Sequence, residues 1–304
     1  MTIALTFTTT AGDNDQDLPL DQREVERIKV TFSENVEKIN LSRKDIVHID
    51  LSPLSSCANL KNLSLDGNLL REIDLTPLSS CTAFEILNLE HNLFQTIDLT
   101  PLSSCVCIKE LFLDRNKLKR IDLTPLISFS NLQKLTLGEN QLQNIDLSPL
   151  RSCTKLNWIY LAKNQFEIID ISSLSSCTEL QYLNLGSNQL ESIDLTPLSN
   201  CTSLQDLELG YNQLQKIDLT PLSSCTSLQE LWLEENQLQE IDLTPLSSCV
   251  DLVFLNLKGN SLESIDLTPL GFCANLQEVN LSKNRLKTVD CSPLHSDEIV
   301  ILID

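Results

Sequence analysis

Apolar residues recur along this chain at a fixed interval of 24 residues. Residues 204–227 read LQDLELGYNQLQKIDLTPLSSCTS and residues 228–251 read LQELWLEENQLQEIDLTPLSSCVD, with no insertion between them. Eleven such repeats begin at Val36, Leu60, Phe84, Ile108, Leu132, Leu156, Leu180, Leu204, Leu228, Leu252 and Leu276 and run over 36–299. In each, the two middle apolar residues, such as Leu183 and Leu185, alternate with more polar ones. A period of two is that of a strand with one buried face. One such strand cannot bury its leucines alone, so successive repeats must stack as a parallel sheet over a shared core. The second half of the repeat, IDLTPLSSC, predicts a short extended piece at Ile-Asp-Leu. A single 3₁₀ turn follows, with Thr at its N-cap and Pro in its first position.

Residues 1–35 depart from the repeat. Ile3, Leu5 and Phe7 alternate with polar residues, as do Ile28, Val30 and Phe32. We read two strands of an N-terminal β cap over 1–35, joined by an acidic stretch from Asp13 to Glu26. The apolar run Ile299 to Ile303 reads as a C-terminal closing segment within 291–304, overlapping the last repeat; it is either a native cap or the edge of a longer protein.

The motif LxxLxLxxNxL, as in Leu180, Leu183, Leu185, Asn188 and Leu190, resembles the leucine-rich-repeat family, in a non-secreted form. The resemblance implies an α/β solenoid. Its shape would be a horseshoe or arc, with a parallel concave β-sheet and short 3₁₀ or extended convex segments. It also implies that the asparagine column from Asn68 to Asn284 bonds the backbone of adjacent turns, Lys44 replacing asparagine in the first repeat. Finally, it implies that another protein binds on the concave face.

Charge narrows the partner. The net charge is -20, which argues against nucleic acid and anionic membranes and favours a basic or amphipathic protein segment. No apolar run approaches the ~20 residues of a membrane span. Nine of the eleven cysteines occupy one column, from Cys57 to Cys273, with Phe129 in the same slot of the fourth repeat. A slot accepting Cys or Phe reads as a core position, so buried, reduced thiols in the cytoplasm are preferred over disulfides or a metal site. An aspartate column runs from Asp50 to Asp290. Its carboxylates read as acceptors for backbone N–H groups two residues on, in preference to a calcium ladder. His48, His91 and His295 sit on different repeats and share no nucleophile, and no phosphate-binding, zincin or serine-elbow motif occurs. We therefore expect no enzyme, no cofactor and no metal.

Aromatic residues give the candidate site. Counting the first residue of a repeat as zero, positions two, four, six and seven should face away from the core. Trp158, Tyr160, Tyr182, Tyr211 and Trp232 all fall there, with Phe112 and Phe254, beside Asp206, Glu208, Glu230, Glu234 and Glu235. Exposed aromatics in polar surroundings are typical of interface hot spots. This places a partner site over repeats five to eight, anchored by Trp158, Tyr182 and Trp232. The expected function is a monomeric, non-enzymatic scaffold or adaptor. The alternatives are a regulatory segment of a larger GTPase- or phosphatase-associated assembly, and a purely structural or consensus-like repeat protein.

Overall fold

The computed structural model describes residues 2–10, 25–294 and 299–303. His295 and nearly all of the acidic stretch from Asp13 to Glu26 lie outside them. The chain parts into two compact halves, Met1–Leu142 and Gln143–Asp304.

In the N-terminal half, β1 (Thr2–Thr10) and β2 (Val25–Ser33) precede β3 (Lys38–Asn40) and β4 (Ile46–Asp50). β1 pairs antiparallel with β2 through Leu5↔Val30, and with β4 through Phe7↔Ile49. Ile3, Leu5 and Phe7 are buried, so the alternation in the sequence is the inward face of β1. One three-residue strand per repeat follows: β5 (Asn62–Ser64), β6 (Ile86–Asn88), β7 (Glu110–Phe112) and β8 (Lys134–Thr136). These pair in parallel, starting from β3, in a register that advances by one repeat per strand.

The C-terminal half carries β9 (Trp158–Tyr160), β10 (Tyr182–Asn184), β11 (Asp206–Glu208), β12 (Glu230–Trp232), β13 (Phe254–Asn256), β14 (Glu278–Asn280) and β15 (Val300–Leu302). Each is parallel to the next. β15 comes from the apolar closing run and adds to β14 through Val279↔Ile301.

The core follows from the repeat. Leu180, Leu183, Leu185, Leu190, Leu195, Leu198 and Cys201 are each no more than 2% exposed. Burying one leucine contributes about 1.5–3 kcal/mol, which explains why these slots stay apolar. Asparagine closes the turn after the strand in the second to eleventh repeats. Asn212 Nδ2 donates to Leu185 O (3.1 Å) and Leu209 O (3.0 Å), while its Oδ1 accepts from Leu190 N (3.0 Å). One amide thus serves two successive repeats, using donors and acceptor together. The residue before it has positive φ in every repeat, from 49° at Glu235 to 68° at Gly259. For a residue other than glycine this costs on the order of 1 kcal/mol. The asparagine bonds and a backbone bond such as Tyr211 N to Glu234 O (2.8 Å) hold it there.

The second half of the repeat differs from expectation at the N-cap. The 3₁₀ turn is present, but Leu75, not Thr76, is the N-cap, and Pro77 is its second residue. The N-cap has no side-chain bond, and the free N–H of Thr76 goes instead to Asp74 Oδ1 at 2.9 Å. All eleven column aspartates make this bond to the residue two along, at 2.8–2.9 Å. The Ile-Asp-Leu piece forms a strand only in the first repeat, as part of β4, where β1 supplies a partner.

The cysteine column lies inside. All eleven cysteines are free thiols, and the nine of the column are buried. Several donate to a leucine carbonyl of the preceding repeat, for example Cys225 to Leu198 O at 3.5 Å. Burial pushes the Cys201 thiol up to about 12.

Candidate functional site

Strand register lines up the face opposite the core. Trp158, Tyr182, Asp206, Glu230 and Phe254 stand side by side on β9 to β13, and Tyr160, Asn184, Glu208, Trp232 and Asn256 form the next row. All the sequence-predicted site residues therefore lie in the C-terminal half, in adjacent strands or the turns that follow them. Counted from Val36, the anchors Trp158, Tyr182 and Trp232 occupy the sixth, seventh and ninth repeats. The span is thus six to ten, with Phe254 in the tenth, and not five to eight. Phe112 belongs to β7 in the N-terminal half and is no part of this group.

Two aromatic pairs frame the face. The Trp158 and Tyr182 rings stack with centroids 3.8 Å apart and planes 14° from parallel. Trp232 and Phe254 meet at 4.4 Å, tilted by 47°. Trp158 is 39% exposed and Tyr211, on its left-handed backbone, 56% exposed, whereas Tyr182, Trp232 and Phe254 are half-buried.

Polar groups bind the aromatics to the carboxylates. Tyr182 Oη donates to Glu208 Oε1 (2.7 Å) and accepts from Asn184 Nδ2 (2.8 Å), which also donates to Glu208 Oε2. The Trp232 indole N–H donates to Glu230 Oε2 at 2.9 Å. Burial raises the Tyr182 hydroxyl above its ordinary value, so it stays a donor. Two carboxylates lack such support. Asp206 Oδ1 and Glu234 Oε2 are buried and accept no hydrogen bond from any described residue. Burial, then the charges of Glu230 and Glu208, pushes the Asp206 carboxyl up to about 7. Burial likewise raises Glu234.

Small residues shape the floor, and their role escaped the sequence reading. Ala162, Gly186 and Gly210 occupy the same position of three successive repeats and are buried. The Glu234 carboxylate lies so close over Gly210 that a Cβ there would sit 2.5 Å from it. The result is a depression of about 190 Å³ beside Tyr160, Glu208, Tyr211, Trp232 and Glu234. The run of small residues at one repeat position was the available signal. Among the described residues no group of three or more His, Cys, Asp or Glu is placed to hold a metal ion.

With this geometry in hand, comparison with known proteins places the chain. The Leucine rich repeat family matches residues 58–118, 107–166, 130–190, 178–238 and 202–262. The chain belongs to the leucine-rich-repeat family. No curated protein matches it in sequence. Among solved structures it is similar to a leucine-rich-repeat protein of Leptospira interrogans, at 25% identity and a TM-score of 0.79, over 89% of this chain and 68% of that one. It is also similar to the internalin InlF of Listeria monocytogenes, at 27% identity and a TM-score of 0.62, over 89% and 87% of the two chains. A plant peptide hormone receptor, solved in complex with RGF2, shares the fold at 21% identity and a TM-score of 0.72, over 89% of this chain and 47% of that one. Proteins of this family typically mediate protein–protein interaction on a scaffold that is typically non-enzymatic.

Proposed function

We propose that this protein is a non-enzymatic scaffold or adaptor that binds a basic or amphipathic segment of another protein. The binding surface is the exposed sheet face between β9 and β13. The observation that carries this reading is the juxtaposition, on one face, of two aromatic pairs and a bank of carboxylates. Aromatic anchors supply contact area at little rotamer cost, and the acidic bank steers a basic partner and makes the encounter salt-sensitive. Strands about 4.8 Å apart extend this face over roughly 20 Å from β9 to β13. The net charge of -20 supports a basic partner, and the free, buried cysteines support a reducing, cytoplasmic setting. The protein works as a monomer.

The test is a partner captured from the native lysate and titrated against purified protein. Trp158→Ala with Trp232→Ala is expected to weaken it by about 30-fold or more, the loss typical of a hot spot, with little change in melting temperature. Unchanged affinity in that double variant overturns the proposal.

A further inference from the structure

A second, smaller depression lies on the same face, at the end of the strands where the polypeptide enters. Its volume is about 110 Å³. Trp158, Tyr182, Asp206 and Glu230 form its walls, with one glutamine from each of three successive repeats. Small-molecule sites are about 300–1,000 Å³, so this space suits the head group of a side chain. One side is the stacked indole–phenol pair. The other is two carboxylates brought opposite each other by the β11–β12 register, Asp206↔Glu230.

The two carboxylates are in different states. Glu230 is held by the Trp232 indole N–H. Asp206 Oδ1 is buried without a donor among the described residues. A buried oxygen in that condition costs free energy, and more when it is charged than when it belongs to a neutral group. Proximity to Glu230 and Glu208 adds to the cost, which is why the carboxyl is pushed up to about 7. A positive charge seated in the depression relieves the repulsion between the neighbouring carboxylates. The aromatic wall favours the same kind of group, since ring faces attract cations and stack on a planar guanidinium.

We propose that this depression seats a cationic side chain of the partner protein, arginine ahead of lysine, between the Trp158–Tyr182 stack and the Asp206–Glu230 pair. The proposal rests on the sheet face being the partner surface, and it names the chemistry that the partner must present there.

The probes are short dye-labelled peptides in a Gly-Ser background carrying three arginines, three lysines or three citrullines. Citrulline keeps the shape of arginine and removes its charge. Fluorescence anisotropy on the wild-type protein is expected to rank arginine over lysine, with citrulline weaker than arginine by about tenfold or more. Asp206→Asn with Glu230→Gln is expected to cost the arginine peptide about tenfold or more. The charge-matched control, Glu191→Gln with Glu240→Gln at exposed positions off this face, should change affinity less than about twofold. Citrulline binding as well as arginine, or equal losses in the pocket and control variants, overturns the proposal. The captured partner separates the two levels. If it binds the pocket variant normally but needs Trp158 and Trp232, the pocket assignment falls and the face reading stands. If it needs none of the four, both fall.

Discussion

Replacing Asp206 by Asn tests the electrostatics of the face without any partner. The carboxyl is pushed from 3.8 to about 7, by burial first and then by Glu230 and Glu208. The folded state therefore holds more protons than the unfolded chain between about pH 4 and pH 7, and this group lowers stability progressively as pH rises through that window. At about 1.4 kcal/mol per pH unit the displacement corresponds to roughly 4 kcal/mol. The carboxyl is only partly buried, and solvent screening reduces the effect to about 1–2 kcal/mol. Asn has the same shape, and Asp206 Oδ1 accepts no bond from the described residues that Asn would forfeit. Urea denaturation followed by circular dichroism, at pH 3.5, 5, 6, 7 and 8, compares the variant with wild type. The expected gain is near zero at pH 3.5, grows as pH rises above about 4, and levels at about 1–2 kcal/mol by pH 8. A variant less stable than wild type at pH 8, or a gain independent of pH, refutes the argument.

Three further outcomes follow from the repeat itself. Asn212→Ala removes two buried donors and one acceptor that tie successive repeats, so it is expected to cost about 2–4 kcal/mol in urea denaturation; a cost below about 0.5 kcal/mol would show that the ladder carries no stability. Maleimide at pH 7 should label half-buried Cys107 and Cys291 in the native protein, and all eleven thiols only after unfolding; rapid native labelling of Cys201 would contradict its burial. The hydroxyl and backbone N–H of residue 220 hold the Asp218 carboxyl below its ordinary 3.8, and other aspartates of the column behave likewise. Their stabilisation is complete above pH 3.8 and is lost as pH falls below it. The denaturation midpoint should therefore drop between pH 5 and pH 2.5, less steeply in Asp218→Asn; an identical drop in the variant excludes the column as the cause.

Most of the scaffold was legible because each repeat restates the same physical problem. The leucine spacing, the Asn column and the single 3₁₀ turn all follow from stacking one strand per 24 residues. The N-cap was misread because Thr-Pro is a common helix start. Here Asp74 takes the N–H of Thr76 from one residue further upstream, and only the turn geometry reveals it. Tyr182 beside Trp158 was readable from register alone. That Glu208 is spent on Tyr182 and Asn184 while Asp206 Oδ1 finds no donor among the described residues was not, because both are acidic residues of one strand and differ only in their neighbours on β10 and β12. Gly210 was passed over because its meaning lies in Glu234, 24 residues away.

Under the proposed function, binding energy resides on the exposed sheet face of the sixth to tenth repeats. An alanine scan of that claim compares two sets in a titration with the captured partner: Trp158, Tyr182, Tyr211, Trp232 and Phe254 on the face, against the exposed apolar residues Ile127, Ile168, Val250 and Phe272, which lie outside the strands. Trp158, Tyr182 and Trp232 are each expected to cost about 2 kcal/mol or more of binding, and the second set less than about 0.5 kcal/mol. Losses concentrated at Ile127, Ile168, Val250 and Phe272, with the aromatic face silent, would contradict it.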